Sequence, residues 1–197
     1  MLNIKVIIGL LAILVTIAGY YSYIRDVVNG KTKPHIYSWF LFGFITLIAF
    51  ALQVKGEGGF GCFATLMSSI LVFTVFFLSL RMKGNRDITR FDTVFLIMTI
   101  VSLSLWLVAK QPVLSVVLIT VTDLLAYGPT IRKAWFKPHT ETVSFFALNT
   151  VRFLLILASL DTYSIMTALY PVAEAIMQIS MVTMLQVRRN LYAQTLS

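Results

Sequence analysis

Seven apolar runs, each about long enough to cross a bilayer, divide almost the whole chain between them. They fall at about 4–23, 37–54, 60–80, 93–109, 113–131, 143–160 and 163–187. A crossing helix needs roughly 17–25 mostly apolar residues, and in lipid only helices or closed barrels satisfy their own backbones. These runs are continuous rather than alternating, so the expected class is an all-α membrane protein with seven transmembrane helices. Their spacing leaves no room for a second domain in 197 residues. Only 12% of residues are charged against 58% hydrophobic, about half the charged share of a soluble domain. The first run lacks a small-residue cleavage site before Tyr20-Tyr21, so it is read as a retained span.

The net charge of +8 is unevenly placed. Arg25, Lys31, Lys33, Arg81, Lys83, Arg86, Arg90, Arg132, Lys133, Lys137, Arg188 and Arg189 fall at one set of run ends, and only Lys5, Lys55 and Lys110 at the other. The positive-inside rule then puts the N-terminus outside and the C-terminus in the cytoplasm, in a multi-pass protein of the cell (inner) membrane. Spread over several loops, the basic excess fits bilayer orientation and not a nucleic-acid partner. The expected partners are the lipid bilayer and a small polar solute; oligomeric state is not readable.

Other features carry less. The single Cys62 excludes an intramolecular disulfide framework. His35 and His139 each follow Lys-Pro with no third ligand nearby, so both are expected on loop surfaces, and neither metal nor cofactor is expected. Gly56-Glu57-Gly58-Gly59 reads as a tight external turn, since no Lys-Ser/Thr follows to make a phosphate loop. Trp39, Trp106 and Trp135 sit near run ends as interfacial anchors. No Ser-His-Asp or Cys-His set shares one depth, so the chain is not expected to be an enzyme.

Three short segments recur later in the chain. Ile24-Arg25 matches Ile131-Arg132, Ser38-Trp39-Phe40 matches Ser144-Phe145-Phe146, and Lys83-Gly84-Asn85 matches Arg188-Arg189-Asn190, all at nearly one offset. Spans 1–3 and 5–7 are therefore expected to be two parallel copies: residues 1–90 and 111–197, joined by a linker helix at 91–110. Parallel repeats about an axis along the membrane normal are a known transporter plan, with the site between the halves. The segment Tyr127-Gly-Pro129-Thr-Ile-Arg-Lys-Ala-Trp135, followed by a basic loop and Val143-Ser144-Phe145, resembles the PQ-loop superfamily of SWEET sugar transporters, cystinosin-like exporters and the KDEL receptor. Thr130 stands in the place of the family's glutamine, and the first copy has Ser22-Tyr23 without a proline. The resemblance implies a 3-1-3 fold and a hinge at Pro129, whose missing N–H loosens the helix near its end.

Three charges stand inside spans: Asp123, Arg152 and Glu174. Each costs about 2.5–3.5 kcal/mol at mid-bilayer if lipid-facing, so all three are expected to face the bundle interior. Helical spacing extends them into polar stripes: Thr120, Asp123 and Tyr127; Asn149 and Arg152; Tyr170, Glu174 and Gln178. The first copy places Thr16, Thr46 and Ser69 at the corresponding positions. Arg152 can clasp one carboxylate, leaving Asp123 or Glu174 as a spare group suited to proton coupling. The expected function is a carrier moving a small polar solute, sugar-like or amino-acid-like, by alternating access. A receptor-like binding protein without flux and a structural membrane subunit are the alternatives.

Overall fold

The computed structural model describes residues 4–81, 89–108 and 111–194, less the side chains of 102, 103, 105–107 and 192–194. Lys83, Gly84, Asn85, Arg86, Lys110 and the Trp106 side chain thus lie outside the described residues. Most of the rest lies in helices: α1 Ile4–Val28, α2 Ile36–Lys55, α3 Cys62–Arg81, α4 Arg90–Val108, α5 Pro112–Ala126, α6 Gly128–Phe136, a 3-10 turn Pro138–Thr140, α7 Val143–Ser159 and α8 Ile165–Gln194. Among the described residues, five stretches are long and apolar enough to cross a membrane: α1, α2, α3, the joined Pro112–Phe136 rod, and Ile165–Leu191. The apolar α7 is shorter. Large apolar side chains such as Leu14, Phe44, Phe77, Leu154 and Ile176 point outward, while Thr, Ser, Gln, Asp, Arg and Glu side chains are buried within.

The helices overrun the apolar runs at the basic end. Arg25 lies inside α1, Arg132 and Lys133 inside α6, and Arg188 and Arg189 inside α8, not in loops. Nothing breaks the backbone there until Gly30, at φ 71, or Pro138. Local sequence sets other ends. Pro112 occupies the first turn of α5, where its missing N–H costs nothing. Thr89 and Asp92 open α4 with a capping box: Thr89 N–H donates to Asp92 Oδ2 at 2.9 Å, and Asp92 N–H to Thr89 Oγ1 at 3.4 Å.

Within the first three helices, α3 packs against both α1 and α2; within the last, α8 packs against both α5 and α7. Across the middle, α1 lies along α7 and α2 along α5, and α4 leans on α5. Two apolar clusters fill the interior. One surrounds Ile45, Ile119, Phe153 and Ile156, the other Tyr23, Trp39, Phe145 and Leu185. At the first cluster's end, the turn after α2 presses on residues 159–161. A Cβ on Gly61 would fall 1.9 Å from Ser159 Oγ, and Gly59, at φ +78, has Asp161 Oδ2 2.1 Å from where a Cβ would sit. At the other end, Lys33 N–H donates to the Thr140 carbonyl at 3.2 Å, and the Thr32 and Thr142 hydroxyls bond at 2.5 Å.

His35 departs from expectation: it is 0% exposed, not on a loop surface. The α4 docking explains this. Arg132 grips Asp92 through Nε at 2.8 Å and Nη2 at 2.7 Å, and Asp92 Oδ2 lies 3.6 Å from His35 Nε2. His139 is exposed as expected. Burial pushes the His35 pKa from 6.5 down to about 4, against the pull of the Asp92 carboxylate. The unfolded chain therefore takes up this proton before the folded one does. Stability falls as pH drops from about 6.5 toward 4, by up to about 1.4 kcal/mol per pH unit. Detergent Tm measured across that range should flatten in His35→Phe relative to the wild type; equal slopes would remove His35 as the cause.

Candidate functional site

The polar stripes meet in a buried cavity among α1, α2, α3, α5, α7 and α8. Its walls carry Asp123 from α5, Tyr127 from the α5–α6 break, Asn149 and Arg152 from α7, and Tyr170, Glu174 and Gln178 from α8. The first three helices add Thr46, with Ser68, Tyr20, Tyr23, Trp39 and Phe42. Asp123, Arg152 and Glu174 are each at most 4% exposed.

Glu174 is well satisfied. Its Oε2 accepts from the Tyr127 hydroxyl at 3.0 Å and from Gln178 Nε2 at 3.1 Å, and Gln178 Nε2 also reaches the Tyr127 oxygen at 2.6 Å. The i, i+4 spacing of Glu174 and Gln178 stacks them on one helix face. Asp123 is less so: its Oδ1 is buried without a hydrogen-bond partner, although the Glu174 and Tyr170 side chains lie within hydrogen-bonding reach of the carboxyl group and the Arg152 charge acts on it. Arg152 forms no ion pair among the described residues, so the expected clasp on a carboxylate is not made. Its guanidinium instead lies 3.9 Å from the Phe153 ring centroid, a cation–π contact. Arg152 Nε and Nη1, Gln178 Oε1 and Thr130 Oγ1 are likewise buried and unpartnered. Buried polar groups are nearly always hydrogen-bonded. Several unpaired donors and acceptors around one cavity are what a polar ligand would satisfy.

Not every stripe residue takes part. Thr120 and Thr16 donate to the carbonyls of Val116 and Ala12, one turn back, at 2.7 Å each; Ser69 donates to the Gly43 carbonyl at 3.0 Å. None of the three lines the cavity. Ser68 lines it in place of Ser69, bonded to the Tyr20 hydroxyl at 2.7 Å, because one residue is about 100° of helix rotation. Asn149 is on the wall but gives Nδ2 to its own helix, at the Phe145 carbonyl, 2.9 Å away. Pro129 does not reach the cavity; it lies in the first turn of α6, just after the break at Tyr127.

No family model, curated protein or solved structure matches the chain. The site therefore rests on its own geometry. The wall residues that the sequence does not mark as cavity groups include Tyr20, Tyr23, Trp39 and Glu141. Trp39 was expected as an interfacial anchor, yet is only 4% exposed, with its ring 4.7 Å from Tyr23 and 5.8 Å from Phe145. Trp135, 47% exposed and stacked under Arg188 at 4.6 Å, has the exposed setting an anchor needs. The cavity holds about 30 Å³ of space for water centres, enough for roughly two waters. A sugar-sized solute requires the walls to move apart.

Proposed function

We propose that the chain is a seven-span, PQ-loop-like carrier of the SWEET type, moving a small polar solute through this cavity by alternating access. The observation that carries the reading is the set of buried, unpartnered polar atoms on Arg152, Asp123 and Gln178 around one cavity. A purely structural network would be selected to satisfy those atoms, since each lost hydrogen bond costs about 1–3 kcal/mol. The helix pairing supports a 3-1-3 plan of residues 1–90, 91–110 and 111–197. The α1–α3–α2 neighbours recur as α5–α8–α7, and the cross-contacts α1–α7 and α2–α5 exchange under the same swap. Two similar halves closing on a central site can rock, with the break before Pro129 as a hinge in one of them. Asp123, the carboxylate with an unpartnered oxygen, is the candidate proton carrier.

The test is a thermal-shift screen of small polar solutes followed by flux of each stabilising compound into proteoliposomes. Stabilisation with flux supports the carrier; stabilisation without flux assigns a receptor; neither leaves a structural subunit.

The proposed orientation, N-terminus outside and C-terminus cytoplasmic, makes a separate prediction. Glu57 and Asp161 are exposed at one end and His139 at the other. Gly58 is a poor probe, because a Cβ there would lie 2.6 Å from Cys62 Sγ. Glu57→Cys and Asp161→Cys should react with an impermeant maleimide on intact cells, and His139→Cys only after permeabilisation. The opposite pattern would reverse the orientation.

A further inference from the structure

The cavity is closed toward the basic end of the bundle by one small group of side chains. Glu141, just before α7, is folded inward and only 2% exposed. Its carboxylate forms a buried ion pair with Lys133 of α6 and accepts from the Tyr23 hydroxyl of α1 at 3.2 Å. The Lys133 ammonium also donates to the Lys33 carbonyl, in the loop after α1. The group therefore ties helices of the second half to the first half.

Beyond it lies a second, more open polar pocket of about 320 Å³, with Asp26, Lys31, Thr32, His139 and Arg189 on its walls. Among the described residues, Glu141 alone lines both this pocket and the central cavity. The barrier between the two spaces is thus about one side chain thick.

The chemistry suits a barrier that opens. An apolar plug resists hydration, whereas a buried ion pair has already lost its water, and its attraction only roughly offsets that loss. Rehydrating the two charges as the loops part therefore returns much of what breaking the pair costs. The loop is anchored independently: Arg189 donates to the backbone carbonyls of Glu141 at 2.5 Å and Pro138 at 3.1 Å. The Glu141 side chain is free to swing without releasing its backbone.

We propose that Glu141, with Lys133 and Tyr23, forms the gate between the central cavity and the aqueous pocket at the basic end. This rests on the reading of the cavity as a solute path. Its test needs no solute, so failure of transport and failure of the gate are told apart.

Ser68→Cys places a thiol on the cavity wall with little change in size, and its alkylation by a small polar maleimide is followed by peptide mass spectrometry on purified protein. The native Cys62, 0% exposed and outside the cavity wall, reports general loosening in the same sample. Lys133→Met leaves the Glu141 carboxylate buried without its cation, and should speed Ser68→Cys alkylation about tenfold or more while Cys62 stays silent. Tyr23→Phe removes a single hydrogen bond in a near-isosteric change, and should speed it about two- to fivefold. Unchanged rates in both variants would overturn the gate. If Lys133→Met exposes Cys62 as well, Tyr23→Phe decides: a faster Ser68→Cys rate with silent Cys62 upholds the gate, and an unchanged rate or a parallel rise at Cys62 refutes it.

Discussion

Arg152→Met should abolish solute binding while melting no lower than the wild type. The two halves of that result have separate causes. Arg152 is 3% exposed and forms no ion pair among the described residues, so its removal breaks no direct contact with a carboxylate, and Asp123 loses only its more distant field. Replacing buried charges by well-packed apolar groups of similar size is often neutral or stabilising, by about 1–4 kcal/mol. Methionine keeps the unbranched stem and its packing on Phe153. Binding behaves otherwise, because Nε and Nη1 are buried and unpartnered on a residue of the cavity wall, and hydrogen bonds from a charged group are worth about 1.5–3 kcal/mol each. Losing two should weaken affinity at least 100-fold. Thermal shift with the stabilising solute reads both quantities in one experiment. A lowered Tm with unchanged affinity in the surviving fraction would make Arg152 a scaffold residue.

The two carboxylates should respond to amide substitution in opposite ways. Glu174→Gln turns one acceptor oxygen into a donor in a group where Tyr127 and Gln178 both donate to Oε2. A glutamine can present its carbonyl oxygen to both donors, but only as a neutral acceptor, whose hydrogen bonds are roughly half as strong as those to a carboxylate, so a fall in Tm is expected. At Asp123 the unpartnered Oδ1 can become the amide nitrogen while the oxygen kept by Asn still faces the Glu174 and Tyr170 side chains. Asp123→Asn should therefore melt near the wild type. On the carrier reading it should retain solute exchange and lose only the component of uptake driven by a pH gradient. Equal destabilisation by both, with the gradient-driven component intact, would exclude Asp123 as the proton carrier.

Much of this architecture can be read from the chain because lipid makes some features costly. Seven long apolar runs leave few ways to satisfy the backbone, and each corresponds in order to a helix once α5 and α6 are taken as one rod. Asp123, Arg152 and Glu174 stand out for the same reason, and helical spacing carries their neighbours Tyr127, Asn149, Tyr170 and Gln178 to the same cavity. What is hidden is of another kind. Tyr20, Tyr23 and Trp39 are aromatic residues in aromatic-rich apolar helices, and composition cannot say whether such a ring meets lipid or a cavity. Ser68 and Ser69 differ by one residue of register, beyond the reach of a repeat matched through weak anchors. Glu141 and His35 sit in short polar loops, where solvent exposure is the default expectation. Glu141 is buried because the loops after α1 and before α7 fold onto each other, and His35 because α4 docks over it through Asp92; both contacts are long-range and leave no local pattern.

The carrier reading stands or falls on flux. The decisive measurement is time-resolved uptake, into sealed proteoliposomes, of a solute that raises the wild-type Tm, run beside Arg152→Met at matched protein content. The account predicts saturable uptake by the wild type and none above empty liposomes by Arg152→Met. Stabilisation without wild-type uptake, or equal uptake by the two proteins, would contradict it.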